Sequence, residues 1–167
     1  MSGWPQLDVR RATRSGFVPA TAQLRTWAAA ALGARSRGAE IALLVVGRAR
    51  SRTLNRQYRG RDKATNVLSF PAPAIPPAPA AGRALSARPL GDIVICPEVL
   101  RREAREQGKT LRAHWAHLLV HGVLHLVGYD HEADDDARRM ERREIAVLRR
   151  LGFDNPYRLP ARARRSR

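Results

Sequence analysis

The stretch HGVLHLVGYDH, His121 to His131, lies inside the longer run RAHWAHLLVHGVLHLVGYDHE, which contains all five histidines of the chain. Apolar residues recur through this run at the spacing of one helix face, from Leu111 to Val127. Thr110 precedes them as a suitable N-cap, and Gly128 follows as a suitable left-handed stop. The pattern predicts a histidine-bearing helix that ends in a glycine turn.

The spacing of three histidines within this stretch is typical of a metal site. His121 and His125 are four residues apart and therefore lie one turn apart on the same helix face. A chain that turns back at Gly128 can deliver His131 to the same point. Three nitrogen ligands leave one coordination position open, and water bound to zinc in such a position ionises near neutral pH. The alternative is a half-buried helix face, but the third histidine beyond a glycine turn favours the metal.

The pattern HxxxHxxGxxH equals the spacing of the metzincin proteases, HExxHxxGxxH, with one departure. Gly122 stands where those proteases have a glutamate, and that glutamate is their general base. The chain therefore keeps the ligand set without the peptidase base, which disfavours ordinary peptide hydrolysis.

Other polar residues near the three histidines have two interpretations each. His114 and His117 lie on nearly the same helix stripe, and we favour supporting or helix-surface roles for them over ligation. Asp130 either orients a ligand imidazole or is a turn residue. The aspartates at 134–136 stand at the start of a further helix, where complementing the helix dipole is favoured over metal ligation.

Composition indicates one globular domain with a polyanionic partner. The 167 residues include 31 basic and 15 acidic ones, a formal charge of +16, which is typical of nucleic-acid binding. A GC-rich genome would explain why nearly all the basic residues are arginines. It would not explain why basic residues outnumber acidic ones. The single cysteine, Cys96, excludes an intramolecular disulfide and is expected to be a small buried residue. No apolar run reaches the length of a membrane span, and the N-terminus lacks a secretory signal, so we expect a cytoplasmic protein.

The rest of the chain predicts strands and helices in alternation. Leu54 and Tyr58 are four residues apart on a predicted helix and are expected to face a core. The apolar run 39–46 is expected to form a central strand that is covered on both faces. Strands are predicted over 7–11, 39–46, 65–70 and 89–95, and helices over 19–32, 51–59, 97–107, 111–127 and 134–151.

Three segments outside these elements carry charge or an unusual composition. Arg59, Arg61 and Lys63 form a basic cluster around Asp62, which is either a phosphate-binding turn or a plain surface turn. The Pro/Ala-rich stretch 71–89 is expected to be a loosely ordered loop insertion. The tail 158–167 carries five arginines and no acid and is expected to be a disordered arm for polyanions.

Three stretches together resemble one family. In chain order, LNRQYRGRDKATNVLSFP at 54–71, LGDIVI at 90–95 and HGVLHLVGYDH at 121–131 resemble the YbeY family of bacterial metal-dependent endoribonucleases, which are rRNA maturation factors. The resemblance implies a zincin-like α+β fold, with a small mixed sheet of about four strands and about five helices. It also implies one hydrolase domain over 1–157, and one Zn²⁺ held by His121, His125 and His131.

The resemblance further implies a function and its residues. The expected activity is cleavage of single-stranded RNA in 16S rRNA 3′-end maturation and ribosome quality control. The expected partners are rRNA and the small ribosomal subunit, with neither DNA nor a membrane. Arg59 matches a functionally important arginine of the family, and Asn66 stands where many members have aspartate.

Residue roles follow from that activity. Arg59 and Asp130 are the catalytic candidates, and Arg59, Arg61 and Lys63 the substrate-binding ones. Aromatic residues make up only 5% of the chain, so RNA contacts are expected mainly at the backbone. The alternative function is a non-catalytic ribosome-assembly factor whose metal is structural. A small-molecule amide or ester hydrolase is disfavoured, because it explains neither the charge nor the arginine.

Overall fold

The computed structural model describes residues 3–73 and 87–158. A short 3₁₀ turn, Gly33–Arg35, follows the first helix. The described residues form four strands, β1 Gln6–Arg11, β2 Ala39–Val45, β3 Val67–Pro71 and β4 Arg88–Ile95, and five helices, α1 Thr21–Leu32, α2 Arg48–Arg59, α3 Pro97–Gln107, α4 Leu111–Leu126 and α5 Asp134–Arg150. The predicted α+β fold, with four strands and five helices, is confirmed.

The strands make one mixed sheet in the order β1-β2-β4-β3. β1, β2 and β4 are parallel, and β3 lies antiparallel to β4 at the sheet edge. Residues of β2 are alternately buried and half-buried, so the expectation of full cover on both faces is wrong. One face packs against α1 and α4, and α5 packs on these two helices. The other face meets a small cluster that includes Val46, Leu68 and Leu54. The histidine helix thus lies on the well-covered face.

α4 is buried on nearly all sides. Trp115, Leu119 and Val123 are fully buried, and α4 contacts α1, α3, α5 and the sheet. Its predicted cap is confirmed, since the Thr110 hydroxyl accepts a 3.1 Å hydrogen bond from the Ala113 N–H. A helix that is apolar all round belongs in a core, and α4 therefore gives the histidines a rigid base.

α2 differs from its prediction in where it begins and which face it buries. It begins at Arg48, three residues before the predicted start, after the extended residue Gly47. Tyr58 is 59% exposed, so the prediction that it faces a core is wrong. Leu54 is half-buried against the small cluster. The reason is that the buried positions of α2 are polar, namely Ser51 and Asn55.

These two polar side chains hold the loop that follows α2. The Ser51 hydroxyl donates to the Thr65 carbonyl and accepts from the Thr65 N–H, both at 2.9 Å. The Asn55 amide donates to the Lys63 carbonyl at 2.8 Å. Because Thr65 is bound to α2 in this way, β3 begins only at Val67, two residues after the predicted start. The basic segment 61–63 is therefore fixed at the C-terminal end of α2.

β3 and β4 approach each other closely at one point. Gly91 has φ +136°, and a Cβ there would overlap the carbonyl oxygen of Phe70. Only glycine permits this approach, so Gly91 fixes how the edge strand lies against β4.

Two predicted segments fall on parts of the chain that are not described. Residues 74–86 of the Pro/Ala-rich stretch and 159–167 of the arginine tail lie outside the described residues. Within 3–73 and 87–158, no helix is long and apolar enough to cross a membrane.

Candidate metal centre

The three predicted ligand histidines converge at the C-terminal end of α4. His121 and His125 lie on α4, and His131 lies in the loop before α5. One ring nitrogen from each falls within 4.8 Å of the others. The ring centroids of His125 are 4.8 Å from those of both His121 and His131. Among the described residues this is the one group of histidine, cysteine and acidic side chains close enough to hold an ion.

The chemistry of these nitrogens fits a divalent ion. His125 Nε2 is buried and has no hydrogen-bond partner among the described residues. Burial, together with the nearby charges of His121 and His131, lowers the pKa of His125 to about 4. The imidazole is therefore neutral at pH 7, which is the form that binds metals. His131 is half-exposed, so the centre opens to solvent on the side of the loop.

A buried carboxylate that the sequence analysis missed orients the first ligand. Glu144, on α5, is fully buried, and His121 Nδ1 donates a hydrogen bond to its Oε1. This bond leaves Nε2 of His121 as the metal-binding nitrogen, an arrangement common around zinc. The Tyr157 hydroxyl donates to the other carboxylate oxygen. One signal was present in the sequence, because Glu144 interrupts the otherwise apolar stripe of α5 between Met140 and Val147.

The protonation states around Glu144 support this arrangement. Burial raises the pKa of the Glu144 carboxyl, but the nearby His117 imidazole and the hydrogen bond from His121 lower it further than burial raises it. The residue is therefore a carboxylate at neutral pH. Burial lowers the pKa of His117, whose Nε2 lies 3.5 Å from Glu144 Oε2. Burial and the bond to Glu144 raise the pKa of Tyr157, which keeps its hydroxyl protonated as a donor.

His114 and His117 are buried, so the helix-surface alternative for them is wrong. His114 Nε2 lies 3.0 Å from Glu103 Oε2, and the Asn66 amide donates to the same oxygen at 3.0 Å. Burial raises the pKa of Glu103, but the His114 and Asn66 hydrogen bonds lower it more. This network ties α3, α4 and the start of β3 together. Asn66 thus acts as a hydrogen-bond donor to an acid on a neighbouring helix.

Asp130 shapes the loop that delivers His131. Its Oδ1 accepts the backbone N–H of His131 at 2.6 Å and that of Glu132 at 3.3 Å. The same oxygen is 3.6 Å from His131 Nδ1, and the side chain is exposed. These backbone bonds favour the turn alternative. The aspartates at 134–136 lie in the first turn of α5, outside the three-histidine group, as the dipole interpretation predicts.

Gly122 has little space for a side chain at the position of the peptidase base. A Cβ at this position would lie 3.2 Å from two carbons of Ile93 and 3.2 Å from Ser69 Oγ. The Ser69 hydroxyl also donates to the Gly122 carbonyl at 3.2 Å. α4 therefore packs directly on the sheet where a metzincin would carry its glutamate.

The basic cluster lies at the C-terminal end of α2 and in the loop after it. Arg59 is close enough to the histidines that its charge contributes to lowering the pKa of His125. Partial desolvation, and then the charge of Arg61, lower the pKa of Arg59 itself, although its side chain stays exposed. Asp62 is paired with Arg52 at 2.7 Å. Within the part of the chain that the structure describes, Arg59, Arg61 and Lys63 form no salt bridge.

Comparison with known proteins assigns the family. Residues 14–152 match the family model described as Endoribonuclease YbeY. The chain belongs to the YbeY family. A protein named Endoribonuclease YbeY from Stenotrophomonas maltophilia (strain K279a) is 52% identical over 144 residues, which cover 86% of this chain and 87% of the relative. Another of that name, from Pseudomonas putida (strain W619), is 49% identical over 152 residues, which cover 91% and 92%.

A solved structure shares the fold of this YbeY family member. The solution structure of a Thermotoga maritima protein aligns with a TM-score of 0.53 and 20% identity, covering 92% of this chain and 99% of that one. At this identity the likeness concerns the fold alone.

Proposed function

We propose that this protein is a single-strand-specific, metal-dependent endoribonuclease that uses one zinc ion held by His121, His125 and His131. The observation that carries the proposal is the convergence of these three ring nitrogens within 4.8 Å, with His125 Nε2 buried and free of any described partner. An ion bound there supplies Lewis acidity and lowers the pKa of a coordinated water. The names of the relatives support RNA as the substrate.

The protein residues have separate tasks in this proposal. Glu144 holds His121 in one orientation and one tautomer, which pre-organises the ligand before the ion arrives. Arg59 binds a phosphate oxygen of the RNA next to the ion and stabilises the negative charge that grows there as the phosphodiester is attacked. Asp130 holds the His131 loop, and a role for it in proton transfer stays a prediction.

The charge of the chain and its family support a proposal for the substrate and the cellular role. A formal charge of +16 attracts RNA, and neutralising phosphates makes binding weaken as salt rises. We propose that the substrate is 16S rRNA near its 3′ end, on or near the small ribosomal subunit in the cytoplasm, during maturation and ribosome quality control. Neither DNA nor a membrane is a proposed partner.

The rival is an assembly factor that contains a structural metal and does not cleave RNA. Structural zinc sites have four protein ligands. The group found in the described residues offers three, and Cys96 is buried at the start of α3, outside it. A half-exposed His131 also suits a centre that substrate reaches. These features support the catalytic alternative.

The role of Arg59 is tested by replacing it with alanine and comparing it with Arg48→Ala. Arg48 is exposed at the other end of α2, roughly 16 Å away at 1.5 Å per residue. We expect cleavage of a labelled single-stranded RNA to fall about 100-fold for Arg59→Ala, and less than threefold for Arg48→Ala. Equal effects of the two substitutions would show that Arg59 contributes only general charge.

A further inference from the structure

Tyr58 is an exposed aromatic side chain held in a fixed place. It is the next-to-last residue of α2, and its ring is 59% exposed. The ring contacts Phe70 of β3 edge to face, with centroids 5.0 Å apart and planes at 68°. Phe70 itself packs against the small apolar cluster on that face of the sheet. Tyr58 therefore presents an aromatic surface that is already ordered before a ligand binds.

Two contacts place this ring at the edge of the sheet on which the histidine helix packs. Phe70, which the Tyr58 ring contacts, belongs to β3, the edge strand of the sheet. Ser69, the neighbour of Phe70 in β3, hydrogen-bonds the carbonyl of Gly122, which follows His121. Ser69 and Phe70 are adjacent in β3, so their side chains point to opposite faces of this edge strand. Tyr58 and the histidine helix therefore lie on opposite faces at the same sheet edge, and an RNA strand that crosses this edge would contact both.

The charges around Tyr58 suit an RNA strand. Three basic residues are exposed and form no salt bridge to any described residue, namely Arg59, Arg61 and Lys63. The acid among them, Asp62, forms a salt bridge with Arg52. The other large apolar side chains exposed in the described ranges are Trp4, Phe17 and Tyr157. Tyr157 is bound to Glu144, and the other two belong to the N-terminal segment. Tyr58 thus combines an exposed ring with adjacent unpaired cations.

We propose that Tyr58 is a nucleobase-stacking subsite. Its ring stacks on an unpaired base of the RNA while Arg59 binds the adjoining phosphate. Every base has a π face, so the subsite tolerates any sequence. A base inside a duplex has both faces covered, which gives the enzyme a reason to prefer single strands. The inference rests on the proposed function, and it adds a base contact where the sequence predicted mainly backbone contacts.

The test compares three variants of the full-length protein. Tyr58→Leu removes the aromatic face but keeps an apolar contact for Phe70, and Tyr58→Phe keeps the face. Phe17→Leu is the matched control, because Phe17 is 50% exposed and lies in the loop before α1. Binding to a short fluorescent single-stranded RNA is measured by anisotropy after chelation of metal, so that cleavage does not interfere. Cleavage by the zinc-loaded proteins is measured in parallel.

We expect Tyr58→Leu to weaken single-strand binding roughly tenfold, the lower part of the range for one base–aromatic stack. Tyr58→Phe and Phe17→Leu should stay within twofold of wild type, and duplex RNA should bind all variants equally. A single abasic nucleotide is placed at each position of the RNA in turn. At one position it should weaken RNA binding by wild type but not by Tyr58→Leu.

The outcomes separate the subsite from the activity. If wild type cleaves RNA but Tyr58→Leu binds normally, the subsite is wrong and the nuclease stands. If Tyr58→Leu loses affinity while wild type cleaves nothing, stacking stands and the proposed activity fails. Equal losses for Tyr58→Leu and Phe17→Leu, or for single and double strands, would overturn the subsite.

Discussion

Replacing Glu144 by glutamine should weaken zinc binding without unfolding the protein. The change keeps the shape of the side chain but removes the charge that accepts the His121 Nδ1 hydrogen bond. A hydrogen bond to a charged acceptor contributes about 1.5–3 kcal/mol and a neutral one about 0.5–1.5 kcal/mol. The difference of about 1–2 kcal/mol corresponds to a loss of roughly 5- to 30-fold in zinc affinity. Losses of about 10- to 100-fold are typical for such partners of metal ligands.

The assay is competition for zinc with a chromophoric chelator at pH 7, with circular dichroism to check the fold. Glu103→Gln is the matched control. Glu103 is also a largely buried acid bound to a histidine of α4, but its partner, His114, is outside the three-histidine group. Glu103→Gln should cost stability and leave zinc affinity within twofold of wild type. Unchanged affinity in Glu144→Gln, or an equal loss in Glu103→Gln, would refute the role of Glu144.

Three further predictions concern the same centre. Tyr157→Phe removes a hydroxyl that donates to Glu144 and should lower the free energy of unfolding by about 1.5 kcal/mol in urea titrations; an unchanged midpoint would contradict this. In the metal-free protein His125 should titrate by NMR with a pKa of about 4. Since its unfolded pKa is about 6.5, the unfolded chain binds more protons between these values, so His125 should make stability fall as pH drops through that window; a midpoint near 6.5 would be inconsistent. Gly122→Glu should cost about 1–3 kcal/mol by overpacking against Ile93 and Ser69, and a peptide substrate should stay uncleaved.

The histidine helix could be predicted because its signals are local. Helical periodicity, the Thr110 cap and the Gly128 turn all act within a few residues, and they determine where the three imidazoles meet. Glu144 was missed because its partner is 23 residues away along the chain. The charged residue inside the apolar stripe of α5 was the available signal, since a charge is buried there only with a partner.

The errors at α2 and α4 have a common physical origin. Spacing shows which residues share a helix face, but it does not show which face packs against the rest of the protein. The face of α2 that carries Ser51 and Asn55 is buried because these side chains hydrogen-bond to the following loop. Tyr58 lies on another face of the helix and is therefore exposed. His114 and His117 are buried because α4 is surrounded on nearly all sides, which only the tertiary structure determines.

The most direct test of the central claim is cleavage of a labelled single-stranded RNA by zinc-loaded wild type and by His121→Ala/His125→Ala, with folding of both checked by circular dichroism. We predict that wild type cleaves, that chelation stops it and zinc restores it, and that the folded double variant is inactive. Cleavage by the folded variant at the wild-type rate would contradict a catalytic three-histidine centre. If neither protein cleaves while RNA or ribosome binding stays intact, the assembly-factor alternative would be correct instead.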